Sequence, residues 1–527
     1  MSDLRRVFLA NSLYGSLGLY TDYAAALIIS VIIARHLGPE QYGTYTLLIW
    51  ISSVGVVVSN NGITTGVMKF VGEARGKGAP EQAGSVLLYL ERLQLLSSIA
   101  TCAVFGVIIA LAERIVVDTR AQQLLWILLP AVALRSLYVY YISAAKGFEN
   151  FRLAAQVHAF VAPLSLVIVL VVGQRGGTLK DFVYAYALIC LLYAWSMRFA
   201  LFRRFRRPET TIRNEALVSR IHRHVLYASA IVALELLVLR QTELLFLDRF
   251  STQENIAYYG LGRSLSASAM LLIPGVVTAL LLPVMSRTFG EDPSLLGRRF
   301  LAATRYILIL AVPVVTLCEV FAADVITILY GKDYGPAVLV FRVAVATSAV
   351  GVISSSASSY QLGTDRQPVI VRIMAMVTAL TLILDYVLIR AYELKGAIAA
   401  GAFGSVLLGA GLLWHAYNTL HVKFDFYTYV RVIAAGALCA VPAVIAQKTL
   451  PFWIALPVGG FLLTATYCAL TVLLGGWTRE DLRSMRALTN KIPRWLGKPI
   501  GAFLRGAEEA MTLAPKEPIG QDAERRP

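Results

Sequence analysis

Between residues 11 and 475 the chain alternates apolar runs of about twenty residues with short polar connections, and there are about fourteen such runs. A run of that length crosses the roughly 30 Å hydrocarbon layer as a helix, which satisfies its backbone hydrogen bonds internally. A barrel strand would be half as long. The pattern predicts helices over 11–34, 41–62, 86–111, 121–145, 154–172, 180–202, 225–247, 256–284, 306–329, 337–361, 369–389, 396–417, 430–447 and 452–475. The expected fold class is all-α, a polytopic membrane protein. The first run follows Arg5 and Arg6 but is too long for a secretory signal and carries Asn11, Tyr14 and Asp22, so it reads as a retained first helix.

Composition agrees, with 57% hydrophobic and only 15% charged residues in 527. The net charge of +16 suggests nucleic acid at first sight, until the 48 Lys and Arg residues are placed on the predicted loops. About 31 fall on alternate segments shared with the N terminus, about 10 on the opposite loops and about 7 inside helices. That asymmetry predicts cytoplasmic N and C termini and leaves no call for a nucleic-acid partner. The densest run, Arg203-Arg204-Phe205-Arg206-Arg207 with Arg213, Arg220 and Arg223, would attract anionic membrane lipids. His222-Arg223-His224 lies in the same stretch and reads as a solvated basic loop rather than a metal site. The five cysteines lie within predicted spans without close spacing, so neither disulfides nor metal are expected. Gly72-Glu73-Ala74-Arg75-Gly76-Lys77-Gly78 lacks the spacing of a phosphate-binding loop. No cofactor is expected, and any energy source is a substrate gradient or a coupling ion, H⁺ or Na⁺.

Short echoes recur at a nearly constant offset. Gln41-Tyr42-Gly43 and Tyr258-Tyr259-Gly260 are 217 positions apart, as are Met68 and Met285 at the start of two basic segments, while Gly147 and Gly363 are 216 apart. The repeat predicts two pseudo-symmetric six-helix lobes, 1–205 and 225–420, joined by a basic cytoplasmic linker at 206–224. Helices 13 and 14 follow within 421–475, and a basic tail within 476–527 that reads as an interfacial helix or a docking segment for a biosynthetic partner. Two lobes related by an axis along the membrane normal enclose a central cavity, and rocking them gives alternating access. An inert bundle is the alternative.

Ala34-Arg35-His36-Leu37-Gly38-Pro39-Glu40-Gln41-Tyr42-Gly43 resembles the start of the polysaccharide biosynthesis exporters, the Wzx-type flippases. Leu329-Tyr330-Gly331-Lys332-Asp333-Tyr334 resembles the family's loop after helix 9, and the stretch from Gln361-Leu362-Gly363 to Lys395-Gly396-Ala397-Ile398-Ala399 its helix 10 to 12 region. The resemblance covers most of residues 1–420 and implies the multidrug/oligosaccharidyl-lipid/polysaccharide (MOP) exporter superfamily, with a MATE-like pair of lobes. Asp385 departs from the uncharged amide expected at its position.

Ionisable groups inside a bilayer are costly, so each is a functional candidate. Arg240 and Glu243 are spaced to share a face of helix 7 and either neutralise each other or serve a ligand; Arg263 lies at similar depth on helix 8, and Arg135 near the middle of helix 4. Guanidinium groups bind phosphate oxygens through two fixed donors, so Arg240, Arg263 and Arg135 are the candidate diphosphate ligands of a lipid-linked oligosaccharide. Tyr138, three residues after Arg135, offers a ring for a sugar. Asp22, Glu235 and Glu243 are the candidate ion-coupling carboxylates, although Asp22 is somewhat better suited to capping a hydrogen-bond network in the cavity or pairing with Arg135. Tyr42, Tyr45, Tyr258 and Tyr259 read as an aromatic belt at helix ends.

The expected function is flipping of a polyprenyl-diphosphate-linked oligosaccharide across a bacterial inner membrane for surface polysaccharide assembly, without catalysis. A polymerase or other assembly protein is the expected partner. A lipid-linked peptidoglycan precursor satisfies the same charges. The rivals are a cation antiporter of the same superfamily, which should favour carboxylates over arginines, and a polymerase or ligase, which should carry a large outer loop.

Overall fold

The computed structural model describes residues 2–112, 119–204, 215–239, 242–271, 273, 281, 284–285, 287–289, 291–364, 366–474 and 476–477. Among them are α1 (Ser2–Asn60), α2 (Ile63–Gly76), α3 (Pro80–Ala112), α4 (Thr119–Gly147), α5 (Phe151–Gln174), α6 (Leu179–Arg204), α7 (Glu215–Leu239) and α8 (Glu243–Phe250). There follow α9 (Gln253–Met270), α10 (Leu296–Tyr330), α11 (Ala337–Gly363), α12 (Gln367–Leu384), α13 (Arg390–Leu420), α14 (Phe426–Thr449) and α15 (Phe452–Leu473). A π-helical turn, Asp385–Ile389, joins α12 to α13. The described residues contain no strand.

Ten helical stretches among the described residues are long and apolar enough to cross a bilayer. Two of them, Tyr20–Asn60 and Gln367–Leu420, are 41 and 54 residues long. At 1.5 Å per residue these measure about 60 and about 80 Å, at least twice the hydrocarbon layer, so each has length for two passes. Each is broken near its middle: at Gly38, φ 73, followed by Pro39, and at Glu393, φ 50. These breaks match the expected boundaries between helices 1 and 2 and between helices 11 and 12. The chain is a multi-pass helical membrane protein. The expected span 225–247 is divided between α7 and α8, and most of the expected span 256–284 beyond Met270 lies outside the described residues.

Two segments expected to be loops are helical. Residues 63–76 carry Ile63, Val67, Phe70, Val71 and Ala74 at helical spacing, and all five side chains are buried. The run is too short to register as a span, yet α2 packs its apolar face on α3 and α4, and Arg75 donates to the carbonyl of Phe148. His222 and His224 belong to α7 rather than to a loop, although His222 is exposed: its Nε2 lies 2.7 Å from the Tyr89 hydroxyl, and the His224 ring meets Phe70 edge-on at 5.6 Å. Imidazoles flanked by arginine look soluble in sequence, but their rings here are partners for aromatic side chains.

Packing groups the chain into two units, one of Met1–Ser268, Ile326–Ala344 and Pro368–Leu408, the other of Ala269–Val325, Val345–Gln367 and Gly409–Pro527. In the first, Val67, Leu90, Tyr140, Tyr141, Val161, Met197, Leu201 and Ile221 form one core, and Leu244, Leu247, Tyr259, Val340, Ile389 and Ala397 another. The second half of α1 approaches α9 so closely that a Cβ on Gly43 would sit 1.7 Å from the Gln253 carbonyl oxygen, which demands glycine. Arg35 donates to the last carbonyls of α10, at 2.7 Å for Leu329 and also to Ile328. In the second unit, α14 and α15 pack on α10 around Phe321, Ala435, Cys439 and Leu463, and Tyr467 donates to the Ile309 carbonyl at 2.9 Å.

Candidate functional site

Four helices of the first unit each send polar groups to one place. Asp22 comes from α1, Arg135 and Tyr138 from successive turns of α4, His158 from α5 and Tyr193 from α6. The Arg135 guanidinium carbon lies 4.8 Å from the Tyr138 ring centre and 5.4 Å from that of Tyr193. The two rings are themselves 4.8 Å apart. Arg135 therefore rests on two π faces, a contact worth up to about 2 kcal/mol away from water. Its donors reach no acceptor among the described residues.

Asp22 is engaged elsewhere. Its Oδ1 accepts from the Tyr193 hydroxyl at 3.3 Å and lies 3.3 Å from His158 Nδ1, an approach too poorly aligned to count as a hydrogen bond. His158 Nε2 is 3.0 Å from the Tyr138 hydroxyl. His158 thus stands between the carboxylate and one of the tyrosines that carries the arginine. Of the two alternatives to ion coupling, Asp22 takes the hydrogen-bonded place rather than the pair with Arg135: it accepts from Tyr193 and forms no ion pair with Arg135, although the two charges are within electrostatic reach.

A second cluster lies where α8, α9, the π-helical turn and α13 meet. Glu243 is 6% exposed, Tyr259 1% and Asp385 0%. Thr242 donates a long hydrogen bond to Asp385 Oδ2 at 3.4 Å, while Asp385 Oδ1 and the Tyr259 hydroxyl have no well-aligned partner. Gly401 makes the cluster possible, because a Cβ there would lie 2.7 Å from the Tyr259 hydroxyl and 2.8 Å from Glu243 Oε1. The π-helical turn adds a residue to the helix at Asp385 and marks the spot locally, as such bulges do at functional positions. Two buried carboxylates within electrostatic reach of each other can share a proton or hold a small cation, whereas two bare charges would be expensive.

The structure brings together Asp22, Arg135 and Tyr138 in the first cluster and places Glu243 in the second, with Arg263 one turn after Tyr259 and within electrostatic reach of it. Arg240 lies outside the described residues, and so does the side chain of Glu235 on α7. Tyr259 is corrected: it is a buried member of the acidic cluster, and Tyr42 and Tyr258 are buried as well, rather than facing lipid headgroups. Sequence reasoning missed His158 and Tyr193. The signal for His158 was present, since an imidazole within an apolar span falls under the same rule that selected the arginines. Nothing distinguishes Tyr193 among the chain's 25 tyrosines. Among the described residues no group of three or more metal-binding side chains assembles.

Residues 32–339, more than half the chain, match the family described as polysaccharide biosynthesis protein. No curated protein matches the sequence. The fold is similar to that of the lipid II flippase MurJ in an inward closed conformation, with a TM-score of 0.69 at 12% identity over 88% of this chain and 98% of that one. It is also similar to a multidrug resistance MATE family transporter of the MOP superfamily in its inward-facing conformation, with a TM-score of 0.65 at 15% identity over 75% and 94%. A MOP superfamily transporter from Pyrococcus furiosus Vc1 (DSM3638), whose binding pocket is described as having reverse polarity, gives 0.57 at 16% identity over 79% and 95%. At these identities the likeness is one of fold.

Proposed function

The chain belongs to the polysaccharide biosynthesis protein family, and from that premise we propose that it flips a polyprenyl-diphosphate-linked oligosaccharide from the cytoplasmic to the outer leaflet by alternating access. The observation that carries this reading is Arg135, a guanidinium that is supported by two aromatic rings and has hydrogen-bond donors that meet no acceptor among the described residues. A diphosphate presents the paired anionic oxygens that such a fork recognises. Tyr138 and Tyr193 hold the guanidinium, and Arg263 and Arg240 supply further positive charge to the headgroup. The lipid tail stays in the bilayer throughout. In this reading the chain works in a bacterial inner membrane with both termini in the cytoplasm, transports rather than catalyses, and hands its cargo to polymerising partners.

Glu243 and Asp385, with Tyr259 and Thr242, are the proposed coupling site for H⁺ or Na⁺, and Asp22 a second carboxylate that responds to it. The rival reading, an exporter of organic cations, draws on the same carboxylates and on the fold shared with MATE transporters. It sets Arg135 against its own ligand, and the charge of that residue is why the anionic cargo is preferred.

The test is mass spectrometry of lipids from cells depleted of the protein, combined with a membrane-impermeant reagent that modifies sugars on the outer leaflet. Diphosphate-linked oligosaccharide that accumulates and stays unmodified is the expected result. Accumulated units that are modified from outside would move the defect to polymerisation or ligation, and no accumulation would end the flippase reading.

A further inference from the structure

His158 touches Asp22, Tyr138 and Tyr193, the groups that surround Arg135. It lies on α5, which packs along α1, and is 9% exposed within an apolar helix. Its Nε2 is 3.0 Å from the Tyr138 hydroxyl, and its ring centre lies 6.1 Å from that of Tyr138 and 5.8 Å from that of Tyr193. Those are the two rings on which the Arg135 guanidinium rests. On the other side Nδ1 lies 3.3 Å from Asp22 Oδ1, yet that nitrogen has no well-aligned hydrogen-bond partner. A histidine kept for packing alone would pair both nitrogens, because a buried polar atom left without a partner is destabilising.

The charges at this place are Asp22 from α1 and Arg135 from α4, which are within electrostatic reach of each other. The other groups that face the imidazole, Tyr138 from α4 and Tyr193 from α6, are phenols and carry no charge near neutral pH. While the imidazole is neutral, the carboxylate offsets the guanidinium, and an anion gains little net attraction from the cluster. Protonation of His158 changes that balance, because an imidazolium donates from both nitrogens. Nδ1 has the carboxylate beside it already, and the Tyr138 hydroxyl turns to accept at Nε2. Asp22 is then matched by His158, and the charge of Arg135 is left to the ligand.

We propose that His158 is a positioning residue that makes the Arg135 site proton-dependent: uncharged, it leaves Asp22 to weaken the hold on an anion, and protonated, it engages Asp22 and lets Arg135 hold a diphosphate more tightly. The inference rests on the reading of Arg135 as a diphosphate ligand and adds its regulation. Imidazole is the side chain whose ordinary charge change falls between about pH 5 and 8, so the switch works where cells do. The effect is reciprocal by linkage, so a diphosphate that binds draws a proton onto His158. Through Nε2 the same residue fixes the Tyr138 ring that lies against the guanidinium.

The experiment is isothermal titration calorimetry of the full-length chain in nonionic detergent with farnesyl-diphosphoryl-N-acetylglucosamine. Both phosphates of this probe are esterified, so neither has the second ionisation near about pH 6 of a phosphate monoester. The wild type should bind it at least about fivefold tighter at about pH 5.5 than at about pH 8. His158→Gln, whose amide does not titrate, should bind with one affinity at both. At about pH 6.5 the wild type should take up protons on binding, read from the heat in buffers of different ionisation enthalpy, and His158→Gln none. Asp22→Asn removes the offset at its source and should bind at the higher pH as tightly as the wild type does at the lower, which tests the same charge balance without altering the histidine. Arg135→Gln should bind weakly throughout. A wild-type affinity that does not vary with pH, a His158→Gln affinity that varies as the wild type's does, or an Asp22→Asn variant no tighter than wild type at the higher pH would overturn the role of His158 and leave Arg135 as the ligand. Undiminished binding by Arg135→Gln would end the diphosphate site and this inference with it.

Discussion

Arg220 donates one hydrogen bond to each carboxylate oxygen of Glu73, at 2.9 and 2.5 Å, and so joins α2 to the first turns of α7 across 147 positions of sequence. The guanidinium lies over Phe70 at 5.2 Å, and Lys77 meets Glu73 Oε1 at 2.7 Å. The seam continues along α7, where Ser229 donates to the Asn61 carbonyl at 2.7 Å and Gly62 lets the Val225 carbonyl approach. Its charged part is open to water and therefore weak and screened by salt. The contact of Tyr334, 1% exposed and donating to the Ala34 carbonyl at 2.8 Å, is of the opposite kind, buried and directed at backbone.

The charged seam should leave a signature in acid. Hydrogen bonds from Arg220, then from Lys77, hold the Glu73 carboxyl down at about 2 against an ordinary 4.5. A folded-state pKa lowered in this way stabilises above the unfolded value and loses its effect as pH falls toward the folded one. The melting-temperature gap between wild type and Glu73→Gln should be constant above pH 4.5 and less than half as large by about pH 3. A gap of the same size at both ends of that window would show that the carboxylate's charge is not what holds the seam.

Arg135→Gln should lower flipping of a diphosphate-linked lipid in proteoliposomes by at least about tenfold. Arg135→Lys should recover little, because an ammonium keeps the charge but neither lies flat against two rings nor offers a fork. Tyr193→Phe keeps the ring and should cost little, while Tyr193→Leu should approach the Arg135→Gln rate. Full flipping by Arg135→Lys would reduce the site to a point charge.

Gly401→Ala should abolish the dependence of transport on an ion gradient, since its methyl group would enter the space beside the Tyr259 hydroxyl and Glu243 Oε1. Gly404→Ala is the matched control, crowding Thr381 Oγ1 at 2.6 Å on the same helix. Loss of coupling in the first variant alone is the expected outcome. Parallel loss in both would point to helix packing, and retention in both would remove the acidic cluster from the transport cycle.

Gly43→Ala should destabilise the protein by roughly 1–3 kcal/mol, as overpacking does, because the new Cβ collides with backbone rather than with a mobile side chain. Gly351→Ala, whose Cβ meets nothing within 4 Å, should be neutral or slightly stabilising. Thermal melts of the two variants in one detergent decide the matter. Equal melting temperatures would mean that α1 and α9 are free to separate.

The apolar pattern read the long helices well, and it placed breaks at the positions where Gly38 and Glu393 interrupt α1 and α13. It failed at α2, whose 14 residues carry an apolar face too short to span a bilayer, and at the start of α7, where the arginines disguised a helix whose two histidines meet aromatic side chains. Of the candidate site, Asp22, Arg135 and Glu243 stand out because charge inside an apolar run is conspicuous, and Tyr138 because it follows Arg135 at helical spacing. Tyr259 was misread because a tyrosine at a helix end looks the same whether it faces headgroups or a buried carboxylate.

What the sequence determined by itself is the solvent of this protein and the length of its helices, since a bilayer accepts backbone only as apolar helices of a set span. It also carried the family resemblance in residues 34–43, where the bend between the first two passes needs its glycine and proline. Only the tertiary structure decided which charge meets which ring: that Asp22 turns to His158 and Tyr193 while Arg135 lies against the rings of two tyrosines, and that Asp385 is within electrostatic reach of Glu243. Helical periodicity says which residues share a face, but the rotation and crossing of each helix against its neighbours come from packing among residues tens to more than a hundred positions apart. No repeat in the chain encodes them.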